Sequence, residues 1–237
     1  MTTTKIKTAF ITGGASGIGL ATAHLLLSKG YNVVIYSPDI PKTTEMKELN
    51  LNGRVLLAKG DVRKRNQVRK AMEAAEKKFG SLDILINNAG VAKREDFLRT
   101  TEKDWDFVIG VNVKGVFICM QEFIKLCETS NSCQGKTVIN IASGAGIYGV
   151  DEIAVYSATK AAVINITQGL NEELKKLKMN FVTVCPGSTN TKMFKGLFPK
   201  EKPYHTPQQV ADVIFKAIEK TITPDDRLIV DVFHHIK

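Results

Sequence analysis

Short apolar runs that do not alternate with polar residues, separated by stretches of helical spacing, constrain this chain more than any other feature. "TAFIT" (Thr8–Thr12), "NVVIY" (Asn32–Tyr36), "RVLLAKGDV" (Arg54–Val62) and "LDILINNAG" (Leu82–Gly90) each read as a strand or hold one. So do "KTVINIAS" (Lys136–Ser143), "NFVTVCPG" (Asn180–Gly187) and "RLIVDVF" (Arg227–Phe233). A strand that is apolar on both sides is covered on both sides. Helices are predicted from Ile18 to Gly30, Lys64 to Phe79, Glu102 to Cys127, Tyr156 to Leu177 and Pro207 to Lys220. Val68, Met72, Ala75 and Phe79 show the spacing of a buried helical stripe. Strand and helix alternate with no repeat or linker between them. The pattern predicts an α/β fold over residues 1–237: one domain with a doubly wound parallel sheet of about seven strands and helices on both faces.

At 237 residues such a domain can bury a full core without disulfides. Cys119, Cys127, Cys133 and Cys185 form no C-x-x-C pair and share no histidine spacing, so they read as reduced thiols of a cytoplasmic protein with no metal site. The opening "MTTTKIKTAFITGGASG" has too short an apolar run for a leader, and no segment is expected to reach the length of a membrane span. The formal net charge is +9, but the basic residues are dispersed. Their densest run, "VRKRNQVRK" (Val62–Lys70), reads as the solvated start of a helix, and no aromatic residues interleave with it as in an RNA-binding surface. The charge favours a phosphate-rich small ligand over nucleic acid or a membrane.

Such a ligand has an obvious seat. "TGGASGIG" (Thr12–Gly19) joins the first strand to the first helix, with Gly13, Gly17 and Gly19 at G-x-x-x-G-x-G spacing around Ser16 and Ile18. One glycine allows the tight turn, one allows backbone to approach a pyrophosphate, and one lets helix pack on strand. The helix start presents free N–H groups and the positive end of its dipole to the phosphates.

"VYSATKAA" (Val155–Ala162) puts Tyr156 and Lys160 one helical turn apart, on one face. A free phenol has a pKa of ~10, and bringing it to about 7 takes roughly 4 kcal/mol in favour of the phenolate. An ammonium ~4 Å away supplies about 1 kcal/mol in water and about 4 kcal/mol at an effective dielectric near 20. Lys160 could therefore activate Tyr156 only where water is largely excluded.

Together with "NNAG" (Asn87–Gly90), "DV" (Asp61–Val62), "GVNVKGVF" around Asn112, Ser143, "PG" (Pro186–Gly187) and Thr191, these motifs occur in an order that resembles the short-chain dehydrogenases/reductases, a Rossmann-type family, over nearly the whole chain. The resemblance implies hydride transfer between NAD(P) and a small-molecule carbonyl or alcohol. In that pattern Tyr156 gives or takes the proton, Lys160 tunes it, and Ser143 bonds the substrate oxygen. Asn112 holds a water that links Lys160 to solvent. Asp61 meets the adenine, Val62, Asn88, Ala89, Gly90, Pro186 and Gly187 border the cofactor, and Thr191 meets the nicotinamide amide. The resemblance also implies a homodimer or homotetramer built through the long helices. The rival reading is a non-catalytic dinucleotide sensor or scaffold.

The chain departs from the family in two places. Where NAD-preferring relatives carry an aspartate at the end of the second strand, this chain has Ser37; Pro38 and Ser16 stand where NADP-preferring relatives usually place arginine. Asp39 lies two residues late and Lys42 is a second candidate, so the cofactor form leans slightly to NADP and stays open. The ending "IVDVFHHIK" replaces the family's frequent strand-then-DGG. Pocket candidates are Gly144, Ile147, Tyr148, Val150, Ser188, Met193, Phe194 and Leu197, mostly apolar, which fits a small or medium apolar substrate. Lys93 and Arg94 near the mouth read either as solvated or as a lure for anions.

Overall fold

The computed structural model describes residues 6–51 and 53–236. Residues 1–5, on which the leader reading partly falls, lie outside them. Seven strands form one parallel sheet: β1 (Thr8–Thr12), β2 (Asn32–Ser37), β3 (Val55–Lys59), β4 (Ile84–Asn87), β5 (Thr137–Ile141), β6 (Asn180–Cys185) and β7 (Ile229–Asp231). Their order is β3-β2-β1-β4-β5-β6-β7. This is the doubly wound α/β architecture that the uninterrupted apolar strands imply. The order reverses between β1 and β4, and the crevice beyond their carboxyl ends is where such sheets bind ligands.

The helices are α1 (Gly17–Ser28), α2 (Thr44–Leu51), α3 (Arg65–Phe79), α4 (Glu102–Ile109), α5 (Gly115–Thr129), α6 (Ala154–Glu173), α7 (Lys192–Leu197) and α8 (Pro207–Ile218). Alternate strand residues feed two cores. Phe10, Val34 and Leu85 join Val68 and Met72 of α3 and Phe123 of α5 on one face. Ile11, Ile35 and Ile86 join Leu26 of α1 and Val213 and Ile214 of α8 on the other.

Several expectations needed correction. The fourth strand stops at Asn87 because the Asn88 and Ala89 N–H groups turn back to the Thr12 hydroxyl, each at 3.0 Å. The third stops at Lys59, and the Asp61 N–H instead donates to the Gln67 side chain at 2.9 Å. The predicted helix over Glu102–Cys127 is α4, a π turn at Gly110–Lys114, and α5. Helices α2 and α7 lie outside the predicted elements, since neither has a long apolar stripe. The final strand keeps only Ile229–Asp231, because the Asp231 carboxylate accepts the Phe233 N–H and starts a turn.

The cysteine reading is corrected too. Cys127 and Cys133 form a disulfide that closes the turn between α5 and β5, while Cys119 and Cys185 are free and buried. The helical run Glu102–Thr129 is, by length and composition alone, apolar enough to cross a membrane, contrary to expectation. Most of that stretch is buried, and its Ile118, Cys119, Met120 and Phe123 build the core.

Candidate active site

The glycine loop is built for close approach. Gly13 and Gly17 have φ of +63° and +54°, a region that L side chains avoid. A Cβ at Gly19 would sit 2.5 Å from both the Asn88 amide nitrogen and the Gly13 carbonyl oxygen. Asn88 explains the crowding. Its side-chain amide donates to the carbonyls of Thr12 and Gly13 at 2.9 and 3.1 Å, fastening the end of β4 onto the loop. Ser16 is exposed at the start of α1, and its side chain makes no capping bond. Ile18 packs against the core beneath. Backbone N–H groups, a dipole end and space without side chains fit a dinucleotide pyrophosphate.

The other expected cofactor contacts surround this loop unevenly. Ser37 ends β2, nearly buried, in register with Lys59 of β3. The Asp61 carboxylate is gripped by the Arg63 guanidinium at 2.7–3.1 Å, which holds it well below the usual carboxylate range. Val62 is buried against Gly115, a core role that its motif did not reveal. Pro186 accepts the Gly144 N–H at 2.9 Å. A Cβ at Gly187 would strike the Phe233 ring, and one at Gly17 would lie 3.2 Å from the Thr191 methyl. Thr191 thus caps α7 while touching the glycine loop.

Tyr156 sits half-buried in the first turn of α6. Burial pushes its phenol up to about 12, opposed by the hydrogen bond from Ser143, which favours the phenolate. Ser143, just beyond β5, also accepts the Ala145 N–H at 3.1 Å, which orients its hydroxyl. One turn on, Lys160 is only 4 % exposed; burial pulls its ammonium down to about 8. Its Nζ lies 5.6 Å from the Tyr156 ring centroid and donates to the Ile141 carbonyl at 2.8 Å.

Asn112 lies in the π turn, fully buried. Its amide accepts the Val91 N–H and donates to the Val91 carbonyl, both at 2.9 Å, and donates to the Thr159 hydroxyl at 3.0 Å. It ties the loop after β4 to α6. A side chain at Gly90 would come within 3.5 Å of Lys160 Nζ and 3.6 Å of Asn112 Oδ1, so glycine keeps the space between them open.

Three residues that sequence reasoning passed over also shape the region. Thr12 anchors the loop, as above. Glu152 precedes α6 with φ of +57° and pairs with Arg94. His205 is buried with neither ring nitrogen bonded among the described residues, and its ring meets Phe233 at 4.6 Å between centroids. Burial holds it below the usual histidine range. No local signal marks His205, because the contact joins positions far apart in the chain. Lys93 and Arg94 are not free to lure anions: they pair with Asp104 and Glu152. Among the described residues no group of three histidine, cysteine or acidic side chains could hold a metal.

A glycine loop that fits a pyrophosphate at the sheet's switch point, with Ser143, Tyr156 and Lys160 converging nearby, is an arrangement suited to nicotinamide-dependent oxidoreduction. Residues 7–202 match the short chain dehydrogenase family, and the chain belongs to it. It is 33% identical over 218 residues to an uncharacterised oxidoreductase of Staphylococcus aureus, covering 92% of this chain and 93% of that one. A crystal structure of the 3-ketoacyl-(acyl-carrier-protein) reductase of Brucella melitensis complexed with NADH superposes with a TM-score of 0.82, at 28% identity, over 95% and 96% of the two chains. The structure of ElxO with NADP bound gives 0.80 at 25% identity, over 96% and 97%. Both of those structures hold a nicotinamide cofactor.

Proposed function

We propose that this chain reduces a small or medium, mostly apolar carbonyl, or oxidises the corresponding alcohol, with Tyr156 as the proton donor and acceptor. The observation that carries this reading is the convergence on Tyr156 of the Ser143 hydroxyl and, one turn away, a buried lysine. When bound, the nicotinamide supplies or takes the hydride. The Ser143 hydroxyl holds the substrate oxygen and stabilises the charge that develops there. The Tyr156 phenol, protonated at neutral pH, delivers the proton to that oxygen. Lys160 favours the phenolate and passes protons on. The space kept by Gly90 beside Asn112 supports a water on that route.

Ser37 offers no charge to repel a 2′-phosphate, and the exposed Lys59 is its register partner on the same face of the sheet. Both support a preference for NADP. Trp105, Phe107 and Phe117 are exposed on α4 and α5, which supports a homodimer or homotetramer.

Turnover of aliphatic ketones and alcohols with NADPH and NADH tests the reading, and kcat/KM should be higher with NADPH. Tyr156→Phe removes only the hydroxyl, so a folded variant should bind cofactor normally while turnover falls by about 10²–10⁴. Near-normal turnover would refute the assignment.

A further inference from the structure

Helix α7 has six residues, none of them fully buried. So short a helix has little stability of its own, and its place depends on what holds its ends. Its first turn is fixed by Thr191, whose hydroxyl accepts the Phe194 N–H at 3.2 Å beside Gly17. Its last turn is held by Arg94. One Nη donates to the Leu197 carbonyl at 3.2 Å, and the guanidinium lies over the Phe198 ring, 4.8 Å from its centroid. Phe198 in turn packs on Phe194 at 5.5 Å.

The same guanidinium grips Glu152 through Nε at 2.8 Å and through its other Nη. Glu152 stands four residues before Tyr156, in a left-handed conformation, and its carbonyl accepts the Glu95 N–H at 2.8 Å. Helix α7 therefore spans from the glycine loop to the segment that leads into the catalytic helix, and one side chain joins its far end to that segment. An exposed ion pair alone contributes little. Here two bonds to a carboxylate, one to a carbonyl and an aromatic stack act together on one end of a six-residue helix.

Resting on the reading of the site above, we propose that Arg94 is a positioning residue that latches α7 across the substrate cleft, and that the closed latch limits the length of the carbonyl compound admitted. Breaking it frees the carboxyl end of α7 and leaves the proton-transfer groups in place.

Hydrogen exchange of the full chain, read by mass spectrometry on residues 192–198, tests the latch without any turnover. Arg94→Met should speed exchange there at least tenfold and leave α8 unchanged. Glu152→Gln and Arg94→Lys, which keep part of the contacts, should give smaller increases. Unchanged exchange in folded Arg94→Met overturns the latch. With NADPH and methyl ketones of increasing chain length, kcat/KM should shift in Arg94→Met towards the longer ketones, and the Kd for NADPH should stay within twofold. An unchanged length preference overturns the size limit, and a matching loss of cofactor affinity overturns it in favour of a general structural role. If exchange rises but no carbonyl or alcohol turns over even in the parent protein, the latch stands and the catalytic reading fails.

Discussion

Burial acts in opposite directions on two neighbouring side chains. It penalises whichever form is charged, so it raises the Tyr156 phenol to about 12 and lowers the Lys160 ammonium to about 8. In the reduction direction the phenol must be protonated, which it is throughout the neutral range, and Lys160 must be protonated to replenish it. Reduction kcat/KM should therefore be level below about pH 8 and fall about tenfold per unit above it. Oxidation needs the phenolate and should rise with pH. Lys160→Met should lower turnover and erase the limb near pH 8 from the reduction profile. Persistence of that limb in the variant would assign it to another group.

At the scale of elements, the start of α1 carries a two-signed test. Ser16 is the residue before the first helical turn, extended at φ −160°, with no capping bond from its side chain. Ser16→Asp adds a negative charge where the helix dipole favours it, which should stabilise the protein by about 0.3–1 kcal/mol. The same charge would face a pyrophosphate, so cofactor Kd should rise at least tenfold. Denaturant melts and fluorescence titration measure the two effects; a cofactor affinity that improves along with stability would move the phosphates elsewhere. Gly19 would serve poorly here, because a side chain there collides with Asn88 and Gly13 and disturbs the loop whether or not cofactor binds. The π turn at Asn112 belongs to this scale as well. The wider turn interrupts a long helix and swings one amide into contact with both the Val91 loop and α6.

Across the whole molecule, the chemistry gathers at the carboxyl ends of the strands, while the Cys127–Cys133 disulfide closes a turn leading into β5 at the opposite end of the sheet. Denatured protein should titrate two thiols before reduction and four after. The bridge closes a short loop, so Cys133→Ser should cost about 2 kcal/mol, a fall in Tm of about 5 °C at this chain size. Turnover should be unaffected, since the bridge lies far from the site. Four titratable thiols in carefully unreduced protein would show that the bridge does not form.

The order of strands and helices, the parallel sheet and the glycine loop were legible in the sequence, because each rests on local spacing. A strand apolar on both faces must be covered twice, and glycines between strand and helix leave room for little besides a ligand. The spacing of Tyr156 and Lys160 could be read in the same way, being one turn of one helix. What the sequence could not convey depends on partners distant along the chain. The fourth strand ends where Thr12 captures two amides 76 and 77 residues away. Arg94 reaches Glu152 and Leu197 across 58 and 103 residues, and that contact turned an apparently solvated cation into the end-stop of α7. Cys127 and Cys133 are six residues apart, yet nothing local says that the turn between α5 and β5 brings their sulfurs together. Local spacing selects the elements; only tertiary packing decides which side chains their ends bring into reach.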